Sequence, residues 1–501
     1  MLDEKGKRAF KIALSIEKEY FAHQTLTLRS FFRQFEVGGV PDDYYQLLKG
    51  KITLDELYDR WPKQAKFAKE EAWQATLGDG ENANSSTEVD QRISRALKGN
   101  QNWLLIGGPP CQAYSIVGRS RRRETILNEK TDERVGLYKQ YLRILAVHNP
   151  AVFIMENVKG LLSAETKESP VFGRILNDLS NPVKAYLTDF NEKKGKLQCP
   201  GYKIYSLVVK AREFDLDENP VFHQKDFIIK AEKHGIPQTR HRVILLGIRR
   251  SLDLVPGILQ DEDEVPISKV LAGLPKLRSS LTREVDGVDA WKDALSDLVR
   301  DGILSQVDRD VKEEIRNQLL KVTTPQQGFG ADYIPSSNIG IKYESDWFLD
   351  EQIEGVCNHF SRGHMRSDLL RYFFIACFGK VHGVSPKLSD LPPRLLPDHE
   401  NVDQGIKEKK FADRFRVQLS NKPSKTITSH ISKDGHYYIY PDPTQCRSLT
   451  VREAARIQTF PDNYFFCGPR TAQFIQVGNA VPPLLARRLA DIVSVLFLQI
   501  K

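Results

Sequence analysis

The stretch Trp103-Leu104-Leu105-Ile106-Gly107-Gly108-Pro109-Pro110-Cys111-Gln112 decides how this chain is read. Four apolar residues, Trp103 to Ile106, predict a buried strand. Two glycines and two prolines then end the strand and stiffen the turn. A single cysteine therefore sits on a rigid loop at the carboxyl end of a strand, where open α/β sheets gather ligands and chemistry. A free cysteine taken at random is more often a buried packing group. The prolines and the polar Gln112 argue here for a reactive position.

Toward the amino terminus, Phe10 to Ile16 predicts a short strand ending at Glu17, and Phe21 to Phe35 a helix. Pro41 to Gly99 is charged and reads as helical, interrupted by a polar loop at Gly78 to Ser86. Toward the carboxyl terminus, an amphipathic helix is expected at Leu137 to Val147. A buried strand, Ala151 to Met155, runs straight into Glu156-Asn157-Val158. Strands at Tyr202 to Lys210 and Arg242 to Ile248 bracket Gly235-Ile236-Pro237-Gln238. Strands alternating with helices predict a parallel α/β sheet. From Arg250 to Cys446 the alternation gives way to charged helical runs and short β-like pieces such as Tyr437 to Tyr440, read as a second domain inserted into the first. The α/β character returns at Leu449 to Ile457 and in a last helix, Leu484 to Phe497.

The chain has 501 residues, enough for two or three domains, and a formal net charge of +8, which suits a polyanionic partner. Its six cysteines include no C-x-x-C pair, so neither a disulfide framework nor a zinc site is expected, and a reducing cytoplasm fits. The polar start, Met1 to Lys5, lacks the apolar core of a signal peptide. The longest apolar stretch, near Ile492 to Ile500, is too short to span a bilayer.

Four separated pieces carry chemistry: Pro109-Pro110-Cys111-Gln112, Glu156-Asn157-Val158, Gln238-Thr239-Arg240-His241-Arg242, and Gln476 through Pro483. Each alone has a plain structural account. Glu156 could cap a helix, the arginines could edge a solvated strand, and Gly478 to Pro483 could be a turn before the last helix. Together and in this order they resemble the cytosine-5 DNA methyltransferases, from about Phe10 to the end of the chain. Arg447 to Glu453 is similar to that family's R-x-L-T-x-R-E element.

The resemblance implies a Rossmann-like, S-adenosyl-L-methionine-dependent methyltransferase sheet with an inserted target-recognition domain. The catalytic domain would span 1–250, with a helical insertion at about 36–99. Residues 251–446 would read the target, and 447–501 would return to the catalytic domain. The implied activity is methylation of C5 of a flipped cytosine in a short duplex DNA sequence, by a monomer in a restriction-modification system.

That chemistry needs these residue types. C5 of cytosine is a poor nucleophile until a thiolate adds at C6, and by the resemblance Cys111 is that thiolate. Glu156 is placed at N3 and the exocyclic amine, with Asn157 holding its loop. Arg242 is placed at the ring carbonyl, and Arg240 at backbone phosphate or in support of the loop. The base must leave the duplex to be reached. Gln112, Ser115, Arg119 and Arg121, with Arg122 and Arg123, are implied DNA contacts, although a solvated basic turn accounts for each arginine singly. For S-adenosyl-L-methionine, Glu17 matches the acidic residue that holds the ribose hydroxyls, and Lys18 takes the neighbouring adenine position. Pro110, Leu137, Asn479 and Val481 match further donor contacts. Lys425 to His430 and Lys433 to His436 are candidate loops near DNA, or equally a polar surface hairpin.

The chain departs from the family in several places: the acidic residue expected near the adenine after the third strand is not evident, the stretch from about Phe31 to Gly99 is longer than in compact members, and the start differs most. No first strand and no glycine-rich F-x-G-x-G turn precedes Glu17, so a central strand and one wall of the donor pocket are expected to be missing. The chain reads as an incomplete stretch of a longer protein. A separate polypeptide supplying the element, and a decayed inactive relative, are the alternatives. Two other functions stay open: a DNA-binding protein without methyl transfer, and a tRNA cytosine-5 methyltransferase.

Overall fold

The computed structural model describes residues 6, 8–78, 80–109, 133–163, 171–190, 197–300, 302–337, 340–397 and 414–500. The chain opens with strand β1 (Ser15–Glu17), helices α1 (Tyr20–Arg33), α2 (Asp42–Leu48), α3 (Leu54–Arg60) and α4 (Pro62–Glu71), strand β2 (Ala72–Gln74) and helix α5 (Ser86–Leu97). The central sheet follows: β3 (Leu104–Gly107), α6 (Glu133–His148), β4 (Val152–Val158), α7 (Val171–Ser180), α8 (Pro182–Phe190), β5 (Tyr202–Tyr205), β6 (Ile228–Lys230), β7 (Gln238–Thr239) and β8 (His241–Arg249).

Strand order is β3-β4-β8-β5, with β6 also pairing β8. β3 and β4 run parallel, with Leu104 opposite Val152 and Gly107 opposite Met155. The sheet is mixed rather than parallel as expected, because β8 is antiparallel to β4, β5 and β6. The reason is local. Only residues 231–240 separate β6 from β8, too few for a crossover, so the chain must reverse.

β4 is apolar on both faces because both are covered, and Val152 to Met155 are all buried. On one side Phe153, Met155 and Leu245 meet Leu142 and Leu145 of α6 and Phe172 of α7. On the other, Val152, Ile154 and Ile244 meet Leu485, Leu489 and Val493 of the last helix, Pro483–Gln499. The result is three layers, helix on sheet on helix.

β1 and β2 form a separate parallel pair, with Ser15 opposite Ala72. β2 lies inside the stretch expected to be wholly helical; Ala72-Trp73-Gln74 follows α4 directly, and pairing with β1 overrides the helical character of its neighbours. Among the described residues no strand joins β1 to β3. Leu14, Trp73 and Leu105 nevertheless pack around one small cluster with Val89, Ile93 and Ile144. The outer edge of β3 is unpaired among the described residues, and Ile106 on it is 69% exposed.

Beyond β8, helices α9 (Val288–Arg300), α10 (Arg309–Leu319) and α11 (Arg366–His382) enclose a core built around Trp291, Ile315, Tyr372 and Phe373. A hairpin of β9 (Gly330–Pro335) and β10 (Gly355–Phe360) packs against the α1–α4 helices through Ile353 and Cys357. The chain then passes β11 (Ser424–Lys425), which pairs β7, and ends in α12 (Val451–Ile457), α13 (Arg470–Asn479) and α14 (Pro483–Gln499). Tyr437 to Tyr440, expected to be β-like, is a single 3-10 turn at His436–Tyr438 followed by isolated bridges at Ile439. Among the described residues no helix is long and apolar enough to cross a membrane.

The Arg447–Glu453 element is a buried joint. Arg447 donates through both terminal nitrogens to the two Glu453 oxygens, at 2.7 and 2.6 Å. Thr450 and Glu453 form a reciprocal capping box that starts α12. Burial pushes the Glu453 carboxyl up, but Arg447 outweighs it and holds the group below its ordinary range. Arg452 donates to the carbonyls of Cys357, Pro461 and Tyr464, tying the β9–β10 hairpin to the carboxyl-terminal helices.

Candidate active site

Glu156 and Arg242 face each other where β4 ends and β8 begins. In the antiparallel register Ile244 is opposite Glu156 and Arg242 opposite Val158, so Glu156 and Arg242 are diagonal neighbours on one face. Arg242 Nε donates to Glu156 Oε1 at 2.9 Å. Arg242 Nη1 also donates to the His241 carbonyl. Burial lowers the Arg242 pKa and the Glu156 carboxylate counters part of that.

The turn after β3 closes on this pair. A Cβ at Gly108 would lie 3.2 Å from Glu156 Oε2 and 3.4 Å from the Glu156 carbonyl oxygen, so glycine lets the backbone draw close to the carboxylate. Asn157 Nδ2 donates to the Pro109 carbonyl at 3.0 Å, and Asn157 Oδ1 accepts from Val158 N. Asn157 therefore fixes the last described residue before Pro110 and Cys111, rather than the Glu156 loop alone. Pro110, Cys111, Gln112, Ser115, Arg119, Arg121, Arg122 and Arg123 lie outside the described residues.

Arg240 is turned to a different task. It is 2% exposed, and its guanidinium donates to the Ile427 carbonyl at 2.7 Å and to the Gly478 carbonyl at 3.4 Å. Gly478 is in the last turn of α13, where carbonyls lack partners within the helix and carry the negative end of its dipole. A buried cation from another segment satisfies both needs. Desolvation, and then the neighbouring Arg242, bring its pKa down to about 9, so it is charged at neutral pH.

The donor residues expected from sequence are spread over three elements. Glu17 is the last residue of β1, half-buried, and its Oε1 accepts from Glu19 N at 2.8 Å. The Lys18 carbonyl accepts from Gln74 Nε2, which ties that turn to β2. Leu137 is half-buried on α6, Asn479 ends α13 exposed, and Val481 is half-buried in the turn before α14. Thr25 Oγ1 of α1 accepts from Cys467 N, which ties the helix after Glu17 to the segment before α13. A partly exposed carboxylate at the carboxyl end of a parallel strand fits the vicinal diol of a nucleoside. A carboxylate so placed could hold the ribose of a bound S-adenosyl-L-methionine.

Of the candidate DNA loops, Ile427 is buried and Ser429–Ser432 is a 3-10 turn, not a hairpin. His430 and Lys433 are exposed. His436 is part of the protein interior: its Nδ1 lies 2.7 Å from Tyr372 Oη, and its ring packs on Phe415. Sequence reading placed Gln238 in a chemistry-bearing element without giving it a role and passed over Gln458; both are fully buried and bonded to each other. For Gln458 a signal was available, since an amide between Ile457 and Thr459-Phe460 needs a partner when buried.

The family model for the C-5 cytosine-specific DNA methylases matches residues 71–220 and 215–494. The chain belongs to this family. Among C-5 cytosine-specific DNA methylases and their relatives it is similar to the type II methyltransferase M.Bpa9945I of Bacillus paralicheniformis, 33% identical over 508 residues, covering 97% of this chain and 95% of that protein. The DNA (cytosine-5-)-methyltransferase M.ApeKI of Aeropyrum pernix is 28% identical over 431 residues, covering 79% and 81%. The type II methyltransferase M.DdeI of Desulfomicrobium norvegicum is 26% identical over 399 residues, covering 78% and 72%. In this C-5 cytosine-specific DNA methylase the Glu156–Arg242 pair, Asn157 and the root of the Cys111 loop stand at one point of the sheet.

Proposed function

We propose that this chain transfers a methyl group from S-adenosyl-L-methionine to C5 of a cytosine flipped out of duplex DNA, at a short recognised sequence, as the modification half of a type II restriction-modification system. It acts as a cytoplasmic monomer, with a cognate endonuclease as the functional counterpart. The observation that carries the reading is the Glu156–Arg242 ion pair set against Gly108 and Pro109.

A flipped cytosine entering beside Pro109 meets a carboxylate and a guanidinium already paired. Arg242 shifts its donors to the ring carbonyl oxygen. Glu156 serves N3 and the exocyclic amine, sharing a proton with N3 as electron density arrives there. The Cys111 thiolate adds to C6, which makes C5 electron-rich. The bound donor supplies the methyl group on a sulfonium, leaving as the neutral thioether. A base, solvent water, takes the C5 proton as the C6–S bond breaks and releases the thiolate, which restores the aromatic ring. Asn157 keeps the Cys111 loop anchored through Pro109 during these steps. Glu17 holds the donor ribose, with Lys18, Leu137, Asn479, Val481 and Pro110 around it.

One observation favours a second reading. Among the described residues no strand joins β1 to β3, as a DNA-binding protein without methyl transfer would tolerate. Tritiated methyl incorporation into duplex DNA and into tRNA, measured side by side, separates the readings. Label in duplex DNA alone supports the proposal. Label in tRNA alone moves the substrate to RNA, and tight DNA binding with no label in either supports the second reading.

A further inference from the structure

Two buried glutamines form a relay that crosses the whole site. Gln238 Oε1 accepts from Ile427 N at 3.1 Å. Gln238 Nε2 donates to Gln458 Oε1 at 2.6 Å and to the Ile457 carbonyl at 3.2 Å. Gln458 Nε2 donates in turn to the Val477 carbonyl at 2.7 Å and the Ala480 carbonyl at 3.3 Å. Both residues are 0% exposed. Each amide thus uses its oxygen and its nitrogen, and the relay has a fixed direction from Ile427 to Ala480.

The ends of the relay matter more than its middle. Gln238 begins the segment that, four residues on, presents Arg242 to Glu156. Ile427 leads directly into the Ser429–Ser432 turn. Val477 and Ala480 flank Gly478 and Asn479, at the end of α13. Arg240 runs beside the relay, bridging the Ile427 and Gly478 carbonyls. The two segments touch directly as well: a Cβ at Gly478 would lie 2.3 Å from both Ser429 N and the Thr428 carbonyl carbon. Three elements far apart in sequence are thereby locked at one height: the base-facing strand, the turn after Ile427, and the turn that carries Asn479.

We infer that Gln458 is a positioning residue that sets the donor-facing turn Gly478–Val481 relative to the base-facing residue Arg242. It touches neither substrate. It acts by holding the carbonyls on both sides of Gly478–Asn479, while Gln238 holds the other end. The kinetic arm of the test rests on the methyl-transfer reading above; the exchange arm does not.

The test uses the full chain and two variants, Gln458→Met and Gln458→Glu. Amide hydrogen exchange is followed by mass spectrometry in peptides covering 425–432 and 476–482. In Gln458→Met both peptides lose protection together by about tenfold, the worth of one buried hydrogen bond, while peptides of β4 do not change. The apparent KM for S-adenosyl-L-methionine rises by about tenfold and DNA affinity stays within about threefold. Gln458→Glu distinguishes positioning from mere packing. Its carboxyl can donate, through its single O–H, to the Val477 carbonyl only when protonated, so its activity relative to wild type climbs as pH falls from 8.5 to 6.0. Loss of protection confined to 476–482, or unchanged exchange in a folded Gln458→Met, overturns the inference. If Gln458→Met does not fold, the Gln458→Glu pH profile decides, a flat ratio to wild type overturning it. A wild-type chain with no methyl transfer counts against the proposed function and leaves the exchange result to decide this one.

Discussion

Arg242 Nε is 2.9 Å from Glu156 Oε1, and the pair spans the junction of β4 and β8 at the point where the Cys111 loop leaves β3. The carboxylate stands between a guanidinium and the Gly108 backbone, so its position is fixed before a base arrives. Replacing Glu156 with Gln preserves shape and removes the carboxylate proposed to serve N3. Single-turnover methyl transfer is expected to fall by about 10²-fold to 10⁴-fold, with DNA affinity within about threefold. The pair is partly exposed, so the melting temperature should barely move. Transfer within tenfold of wild type in Glu156→Gln would remove the carboxylate from the chemistry.

Arg240 gives the opposite pattern. Replacing it with Met leaves the Ile427 and Gly478 carbonyls buried without a donor. Urea denaturation should show a loss of about 2–4 kcal/mol. Arg240→Lys should recover only part, because one ammonium cannot reproduce the fork that reaches both carbonyls.

The Arg447–Glu453 joint should behave as a buried, bidentate pair. Arg447→Met or Glu453→Gln alone is expected to cost about 3–5 kcal/mol, because each leaves an uncompensated partner. The double variant Arg447→Met with Glu453→Gln should cost less than the sum of the two. A double-mutant cycle by chemical denaturation checks this, and additive costs would mean that the pair is not coupled.

Acid should weaken the fold through His359. Its Nδ1 bonds Thr450 Oγ1 and its Nε2 bonds the Pro275 carbonyl, each at 2.9 Å, and burial pushes its pKa down to about 4. Glu453 opposes that shift, while Arg447 and Arg456 add to it. The unfolded chain takes up the proton near the ordinary histidine value of about 6.5, the folded one only near 4. Between these values the unfolded state binds more protons, so stability falls as pH is lowered. The expected loss is on the order of 3 kcal/mol across that window. His364, pushed down by burial as well, adds to it. Urea midpoints from pH 7.5 to 4.5 measure the slope, and His359→Gln should flatten it.

The strands that carry the chemistry were legible because their signals are local. Leu104 to Ile106 and Val152 to Met155 are short apolar runs, and each ends in a polar or glycine-rich turn. Val152 to Met155 is buried on both faces, whereas the expected burial of the β3 run fails at Ile106, which lies on an edge and is 69% exposed. What sequence reading missed depends on partners far along the chain. β2 is only Ala72-Trp73-Gln74 and exists because β1 pairs with it. The reversal of β8 follows from connection length, which apolar pattern alone does not encode. Arg240 sits two residues from Arg242 and shares its charge, yet one guanidinium faces Glu156 and the other the α13 terminus. That division is set by Ile427 and Gly478, 187 and 238 residues away.

The account stands on a thiolate at Cys111 attacking a base that Glu156 and Arg242 hold. The most direct measurement is covalent trapping on duplex DNA carrying 5-fluorocytosine, with S-adenosyl-L-methionine present. A denaturation-resistant protein–DNA adduct is expected, with the DNA mapped to the Cys111 peptide and no adduct from Cys111→Ser. A folded wild-type chain that binds the DNA and the donor but forms no adduct would contradict the account.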